Sequence, residues 1–403
     1  MKTTCILATI AAAALLPRPA AAQNNFSTLL TFTDAAPVQL TPVDGILYGI
    51  SDGLAPNGAS CGTVFQVNPP SAPRQPWTQT VLYSFAATND VCNPAGPVAY
   101  AGGNLYGLSV QGGANIWGGF FELQPPSGPG GVWTETVLYN FDLDGLLPAD
   151  FVLLAGPGGS FYLPANAYPY GALAQFQPPI APGGSWTLAE LYSYPEDPGG
   201  GAYLIHGPGG VLYGASVTSY TTSQELGAAV QLTPPAAPGQ SWTDTLLYSF
   251  GPLRRDAVSS PMWLTLGSGG VLYGMAAGGD GSLGTQGRGG VYSLAPPASP
   301  GGAWTYTLLE DFGPLRPCTP LTLYKGSLYG GVANHSYTSG AIFKLAPPSA
   351  PGGEWTLTYL HEFIGQVPDG ALVVGGDGAL YGTSAAIGPG EAYTGTVFRI
   401  AVE

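Results

Sequence analysis

Apolar and aromatic residues in this chain come in short runs, each closed by glycine or proline, and the runs recur in a fixed order. One run carries Leu-Tyr-Gly, at Leu47 to Gly49, Leu105 to Gly107, Leu212 to Gly214, Leu272 to Gly274, Leu328 to Gly330 and Leu380 to Gly382. A degenerate copy, Phe161-Tyr162-Leu163, fills the one gap and brings the count to seven. Successive tyrosines stand 51 to 60 residues apart, a period that marks a repeat architecture. Each unit holds four runs. The first is Trp-Thr-x-Thr-x-Leu-Tyr-x-Phe, as in Trp77 to Phe85 and Trp133 to Phe141. The second is continuously apolar, as in Phe151 to Leu154 and Ala371 to Val374. The third carries Leu-Tyr-Gly, and the fourth is Gly-x-Val-Phe, as in Gly62 to Phe65 and Gly395 to Phe398. β-Branched and aromatic content with period-two alternation reads as strand. The continuous apolar run fits a strand buried on both faces. A Pro-Pro-x-x-Pro-Gly-Gly connector follows the fourth run, and Pro-Pro cannot donate to a ladder, so it ends a strand.

Four antiparallel strands per unit, seven times over, predict an all-β fold, a seven-bladed β-propeller. The ends of the chain support closure. The last unit stops after Gly395 to Ile400 with no tryptophan run behind it, and Phe26 to Phe32 mimics that run. The N-terminal strand is therefore expected to be the outer strand of the blade that the C-terminus builds. A ring sealed this way leaves only short outer edges. The apolar run becomes the inner strand, Leu-Tyr-Gly the second, Val-Phe the third and Trp-Thr the outer one. A residue needed in every unit is packing, so the recurring tyrosines, phenylalanines and tryptophans are read as contacts between blades. The glycine of Leu-Tyr-Gly is read as allowing close backbone approach or a bulge. The third unit departs at Leu163 and at Ala174-Gln175-Phe176, so a distorted blade is expected there.

Composition sharpens this picture. Gly 62 and Pro 40 in 403 residues would suggest disorder without a period; here they fall between the runs, as turns. Residues 1–22 read as a secretory signal, with Lys2, an apolar Ile6 to Leu16 and Ala20-Ala21-Ala22 before Gln23. Residues 23–403 are then one domain. That apolar stretch is too short to span a bilayer and no other approaches the length, so no membrane span is expected. Without Lys2 and Arg18 the chain has 8 basic and 24 acidic residues, a formal charge of −16. Such a surface repels phosphate backbones, which excludes nucleic acid as a partner. It serves solubility, with a Ca2+ site as the sharper alternative; no other cofactor is implied. Cys61, Cys92 and Cys318 remain after the signal, and in an oxidising compartment a pair closes. Cys61 and Cys92 sit in consecutive units and are expected to bridge, leaving Cys318 over. No CxxC or Cys/His cluster exists, so no zinc site is expected. A monomer is expected.

The run Leu82-Tyr83-Ser84-Phe85, followed by Asn93-Pro94, Gly103 to Gly107 and Gly119 to Pro126, resembles the GloVer repeat of secreted bacterial proteins. The Pro-Pro-x-x-Pro-Gly-Gly-x-Trp-Thr connector is similar to that family too, and the resemblance covers residues 26–402. It implies an exported repeat protein and supplies no catalytic residues to carry over.

Function is expected on one face. The inner-to-second turns and the Pro-Pro connectors are short and alike, hence structural. The between-blade loops and the loops after Leu-Tyr-Gly vary, and variable loops on a rigid frame are where binding and chemistry concentrate. Arg254, Arg255 and Arg316 stand out there, because Gly-Pro-Leu-Arg occurs in both loops that carry them. Guanidinium forks grip carboxylates at two points, which suits an acidic sugar; pairing with neighbouring aspartates is the plainer reading. Trp117 and Tyr337 are candidate stacking residues. His335 is the loop histidine and, with Arg316, the catalytic candidate. His206, His361 and Trp263 read as structural. No nucleophile elbow, zincin helix, phosphate loop or dinucleotide fingerprint occurs. The first expectation is therefore an exported module that binds a glycan or an extracellular protein without catalysis. The alternative is a polysaccharide-active enzyme, a lyase on acidic glycans built on the arginines with His335 or a tyrosine as base.

Overall fold

The structure is a computed structural model that describes residues 25–402 except 34, 52–60, 73–74, 87–89, 129, 144, 150, 167–170, 182, 195–202, 217–226, 238–239, 251–260, 277–288, 300, 351 and 387–393. The described strands form seven antiparallel sheets. Blade 1 runs Pro37–Val43, Ile46–Ser51, Thr63–Asn68 and Thr78–Ser84 from the axis outward; blade 2 runs Val91–Ala101, Asn104–Gly112, Gly119–Gln124 and Thr134–Asn140. Blade 3 has a split inner strand, Leu147–Pro148 and Leu154–Ala155, then Phe161–Asn166, Gly171–Gln177 and Thr187–Ser193. Blades 4 and 5 end on Thr243–Ser249 and Thr305–Asp311, and blade 6 on Thr356–Ile364. Blade 7 comprises Val367–Val374, Leu380–Ala385, Gly395–Ile400 and, as its outer strand, Phe26–Phe32. The chain is a seven-bladed β-propeller closed by its N-terminal strand. Phe26 pairs with Ile400, Thr28 with Phe398 and Thr31 with Thr396.

The seams between blades explain the repeating aromatics. The second-strand tyrosine of each blade meets the outer-strand tryptophan of the next edge-on or tilted. Tyr48 meets Trp133, Tyr106 Trp186, Tyr162 Trp242, Tyr213 Trp304, Tyr273 Trp355 and Tyr381 Trp77, with ring centroids 5.6 to 6.4 Å apart. Such pairs add about 0.5–1.5 kcal/mol beyond their buried area. In the seventh seam Phe26 takes the tryptophan's place and packs in one cluster with Tyr329. Burial pushes all seven tyrosine hydroxyls up in pKa. None is poised as a base near neutrality, which fits packing.

The glycine of Leu-Tyr-Gly is a cradle for an aromatic ring rather than a bulge. In blade 4 Gly214 pairs with Val230; in the other five blades it pairs across the ladder with an aromatic residue of the third strand, as Gly49 with Phe65 and Gly382 with Phe398. A Cβ on either would fall 2.5 Å from that ring's Cζ. Blade 3 makes the opposite choice: Leu163 pairs with Ala174, so the side-chain volume has moved from one strand to the other. The expected distortion does not follow from this exchange: Phe161–Asn166 pairs with Gly171–Gln177 without a register shift, Leu163 and Ala174 are both fully buried, and the split inner strand recurs in blade 6, which keeps Leu-Tyr-Gly. The bulges lie elsewhere. Every third-to-outer pairing slips at one point, and the extra residue is always leucine, from Leu29 through Leu82 to Leu360. The N-terminal strand carries the same bulge, which shows that it is a true outer strand.

Two further contacts lock neighbouring inner strands. Prolines of one inner strand lie against third-strand glycines of the preceding blade: a Cβ on Gly62 would fall 2.7 Å from Pro94 Cδ, and one on Gly395 2.6 Å from Pro37 Cδ. Threonine hydroxyls also donate across seams, Thr41 to the Val98 carbonyl at 2.7 Å and Thr265 to that of Leu321 at 2.7 Å. Thr383 Oγ1 stands between the carbonyls of Asp369 in its own blade 7 and Val38 in blade 1 and shares its proton between them.

Tyr292 alone brings a hydroxyl to the ring position filled by Phe65, Phe121, Phe343 and Phe398; it is fully buried and its oxygen has no hydrogen-bond partner. Tyr292→Phe should leave the urea midpoint unchanged or raise it, because it removes an unsatisfied buried hydroxyl. Trp242→Ala, at a tryptophan only 7% exposed, should cost about 3–5 kcal/mol in the same titration.

Candidate functional site

The variable face gathers the between-blade loops and the loops from second to third strand. Blade 6 is the best described part of it. Its inner strand begins at Arg316–Pro317, and its second strand Ser327–Ala333 leads into a turn before Ser339–Ala346. Arg316 pairs with Ala333 and Pro317 with Val332, so Arg316 stands directly across from the residue that enters the turn. The Asn334 side chain organises that turn. Its Oδ1 accepts from the amides of Thr338 and Ser339 at 2.9 and 3.3 Å, and its Nδ2 donates to Thr338 Oγ1 at 2.9 Å. An Asn carbonyl that caps its own turn is a common device of this residue. The Gly365 amide donates to the Thr338 carbonyl at 2.9 Å and fastens the turn to the end of the outer strand. His335 is exposed at its tip. Tyr337 is half-buried and holds a left-handed φ of 52°, an uncommon conformation for a bulky side chain. Arg316 is half-buried at the axial edge. Among the described residues no carboxylate forms a salt bridge with it. The structure therefore brings Arg316, His335 and Tyr337 to one end of one blade.

Arg254 and Arg255 lie outside the described residues. Trp117 is on the same face but on blade 2, with blades 7 and 1 between it and Arg316. Its loop is tightly held. The Gly113 amide donates to the Asp90 carbonyl at 2.8 Å, Gly118 to that of Gly112 at 3.0 Å, and Ala114 to Asn140 Oδ1 at 2.7 Å. Trp117 is 40% exposed and Ile116 73%.

Asp90 has a structural role in the seam between blades 1 and 2. It is buried, and its carboxylate accepts from Tyr83 Oη at 3.0 Å and from the amides of Ala86 and Val91 at 3.0 and 2.7 Å, so it caps the loop between blades 1 and 2. The expected bridge is present: Cys61 and Cys92 are joined, with Cα atoms 4.6 Å apart, across that same seam. Cys318 is free, and burial followed by the charge of Asp369 pushes its thiol up in pKa. Among the described residues no group of three or more His, Cys, Asp or Glu side chains is placed to hold a metal ion, so a Ca2+ site is not found there. Nor is any helix among them long and apolar enough to cross a membrane.

Sequence reasoning did not single out Glu135. It lies on the outer strand of blade 2, and burial, then the charge of Asp90, raises its pKa to about 7. The signal was available, a carboxylate two residues after Trp133 on the inward phase of a strand. His361 is structural, as expected. Its ring stacks on Phe26 with centroids 3.4 Å apart and an interplanar angle of 2°.

No family model matches the chain, and no curated protein does. Solved structures of similar fold are found. An aldose sugar dehydrogenase from Streptomyces coelicolor, in its PQQ-bound form, is 13% identical, with 93% of this chain and 98% of that chain covered at a TM-score of 0.48. A glucose dehydrogenase is 14% identical over 94% and 99%, at 0.41. An α-L-arabinanase of Penicillium chrysogenum, complexed with arabinobiose, is 14% identical over 93% and 97%, at 0.44. At such identities the likeness is one of fold. The set lends nothing to the expectation of a module that binds without catalysis, since its named members are sugar dehydrogenases and an arabinanase, and that expectation is not carried forward.

Burial holds the His361 imidazole down to about pH 4 against 6.5 for a free one. The unfolded chain then binds the extra proton between those values, so stability rises with pH there. The His361 contribution to the thermal midpoint, read as the native chain minus His361→Gln, should fall as pH drops from 6.5 towards 4.

Proposed function

We propose that this propeller is a sugar-active enzyme working on an acidic glycan at the variable face, with its centre at the mouth of blade 6. The observation that carries the reading is the register Arg316 to Ala333, which sets Arg316 across from the residue that enters the turn bearing His335 and Tyr337. A uronate carboxylate gripped by Arg316 loses electron density, and the proton on the adjoining carbon becomes more acidic. His335 or Tyr337 takes that proton. The electron pair forms a carbon–carbon double bond, the neighbouring glycosidic C–O bond breaks, and the leaving oxygen takes up a proton. In a chain of formal charge −14 an acidic substrate needs a local cation, and Arg316 supplies it. Arg254 and Arg255 belong to the same reading as further carboxylate holders, and Trp117 as a distant stacking contact.

Export fits the same reading. Its supports are the N-terminal signal pattern, the resemblance to GloVer repeats and a disulfide of the kind that persists outside the cytosol.

Incubation with acidic polysaccharides should generate unsaturated sugar ends, read as a rise in ultraviolet absorbance. Arg316→Ala should lower the rate about 10²–10³-fold, the typical loss on removing one electrostatic stabiliser. Silence across acidic polysaccharides, or full activity in Arg316→Ala, would overturn the proposal.

A further inference from the structure

We infer that Glu135 is a proton-responsive latch in the seam between blades 1 and 2, and that the Cys61–Cys92 disulfide holds this seam when Glu135 ionises. Side chains alternate along a strand, so Glu135 faces the same way as Trp133 and Val137. Both of these pack into the apolar cluster that contains Cys61, Val64, Phe85 and Val91, with Tyr83 and Cys92 at its margin. Glu135 thus points into the seam that the disulfide spans. Its Oε1 is buried without a hydrogen-bond partner. The ionisable groups that act with it are Asp90 and Tyr83. Asp90 already takes three donors, among them Tyr83 Oη at 3.0 Å, so that hydroxyl is committed to Asp90.

The seam therefore holds a buried aspartate beside a glutamate whose oxygen nothing satisfies. A carboxyl so placed keeps its proton, since burial and a like charge both disfavour the ion. Other seams avoid the problem. The equivalent position is Gln79, Leu188, Tyr306 or Leu357 in four blades, and Asp244 in blade 4 is exposed. The sign follows directly. The folded chain holds the Glu135 proton up to about pH 7, whereas the unfolded chain releases it near 4.5. Stability from this group is therefore lost as pH rises between those values. The disulfide joins the two blades covalently at the same place, so it keeps the carboxyl enclosed, whereas a reduced seam can open and let Glu135 ionise nearer its free value.

The test is the thermal midpoint measured below pH 4.5 and above pH 7 for the native chain with and without reductant, for a C61S/C92S chain, and for Glu135→Gln on each background. Subtracting the Glu135→Gln chain from its parent on each background cancels the opposing contribution of His361. The account expects the Glu135 contribution, parent minus Glu135→Gln, to fall with rising pH, and to fall more in the oxidised chain than in the reduced one. An unchanged slope in Glu135→Gln would overturn the latch, and equal slopes in oxidised and reduced native protein would overturn the role of the disulfide. If C61S/C92S fails to fold, native protein with reductant reports on the same comparison.

Discussion

The contact between one blade's tyrosine and the next blade's aromatic edge is the constraint on which the molecule depends. A four-stranded sheet with apolar side chains on both faces has no stable existence in water until both faces are covered. Here each blade covers its neighbour, and the cover is the same each time: a tyrosine on the second strand under a ring on the outer strand. Six of these rings are tryptophans; the seventh is Phe26, delivered by the far end of the chain. The requirement that no blade be left half-covered is what draws the N-terminal strand onto the C-terminal blade.

Inside each blade, volume is conserved rather than sequence. A glycine lies opposite a phenylalanine or tyrosine in blades 1, 2, 5, 6 and 7. In blade 3, Leu163 lies opposite Ala174, and in blade 4, Gly214 opposite Val230. Close packing tolerates such exchanges because what it fixes is the summed volume at a site. Charges are handled with equal care. Arg399 places two hydrogen bonds on Asp377 Oδ2, at 2.9 and 2.7 Å, at the opposite end of blade 7 from the variable loops. Asp90 is buried with three donors; Glu135 has an oxygen buried without one.

Much of this was legible in the sequence because a propeller repeats its packing. Tyr48 and Trp133 could be assigned to blade seams on recurrence alone, and Phe26 to the closing strand because it stands where a tryptophan was missing. The Cys61–Cys92 pairing followed from consecutive loops on one face. The outer-strand bulge was hidden, although Val81-Leu82-Tyr83 held its trace: three apolar residues in a row cannot all obey a period of two. The threonine bridges of Thr41 and Thr265 left no trace, since a hydroxyl beside a strand leucine has many uses. Glu135 was passed over because a lone carboxylate in a polar-looking strand does not announce which face it takes. The candidate site was half legible. Arg316 and His335 could be named from residue type, but only the register of blade 6 brings them together, and it separates Trp117 from them. Arg254 and Arg255 lie beyond what the described residues can place.

A rigid ring with variable loops divides the labour between stability and chemistry, and the division holds only if the ring is sealed. The most direct measurement is cooperative unfolding, followed by tryptophan fluorescence and far-ultraviolet circular dichroism together, of a chain lacking Phe26 to Phe32. The account predicts that the sealed ring melts in one coincident step, whereas the shortened chain melts earlier and no longer with coincident signals, because blade 7 has lost its cover and blade 6 its partner. A shortened chain with the same single transition at the same midpoint would contradict it.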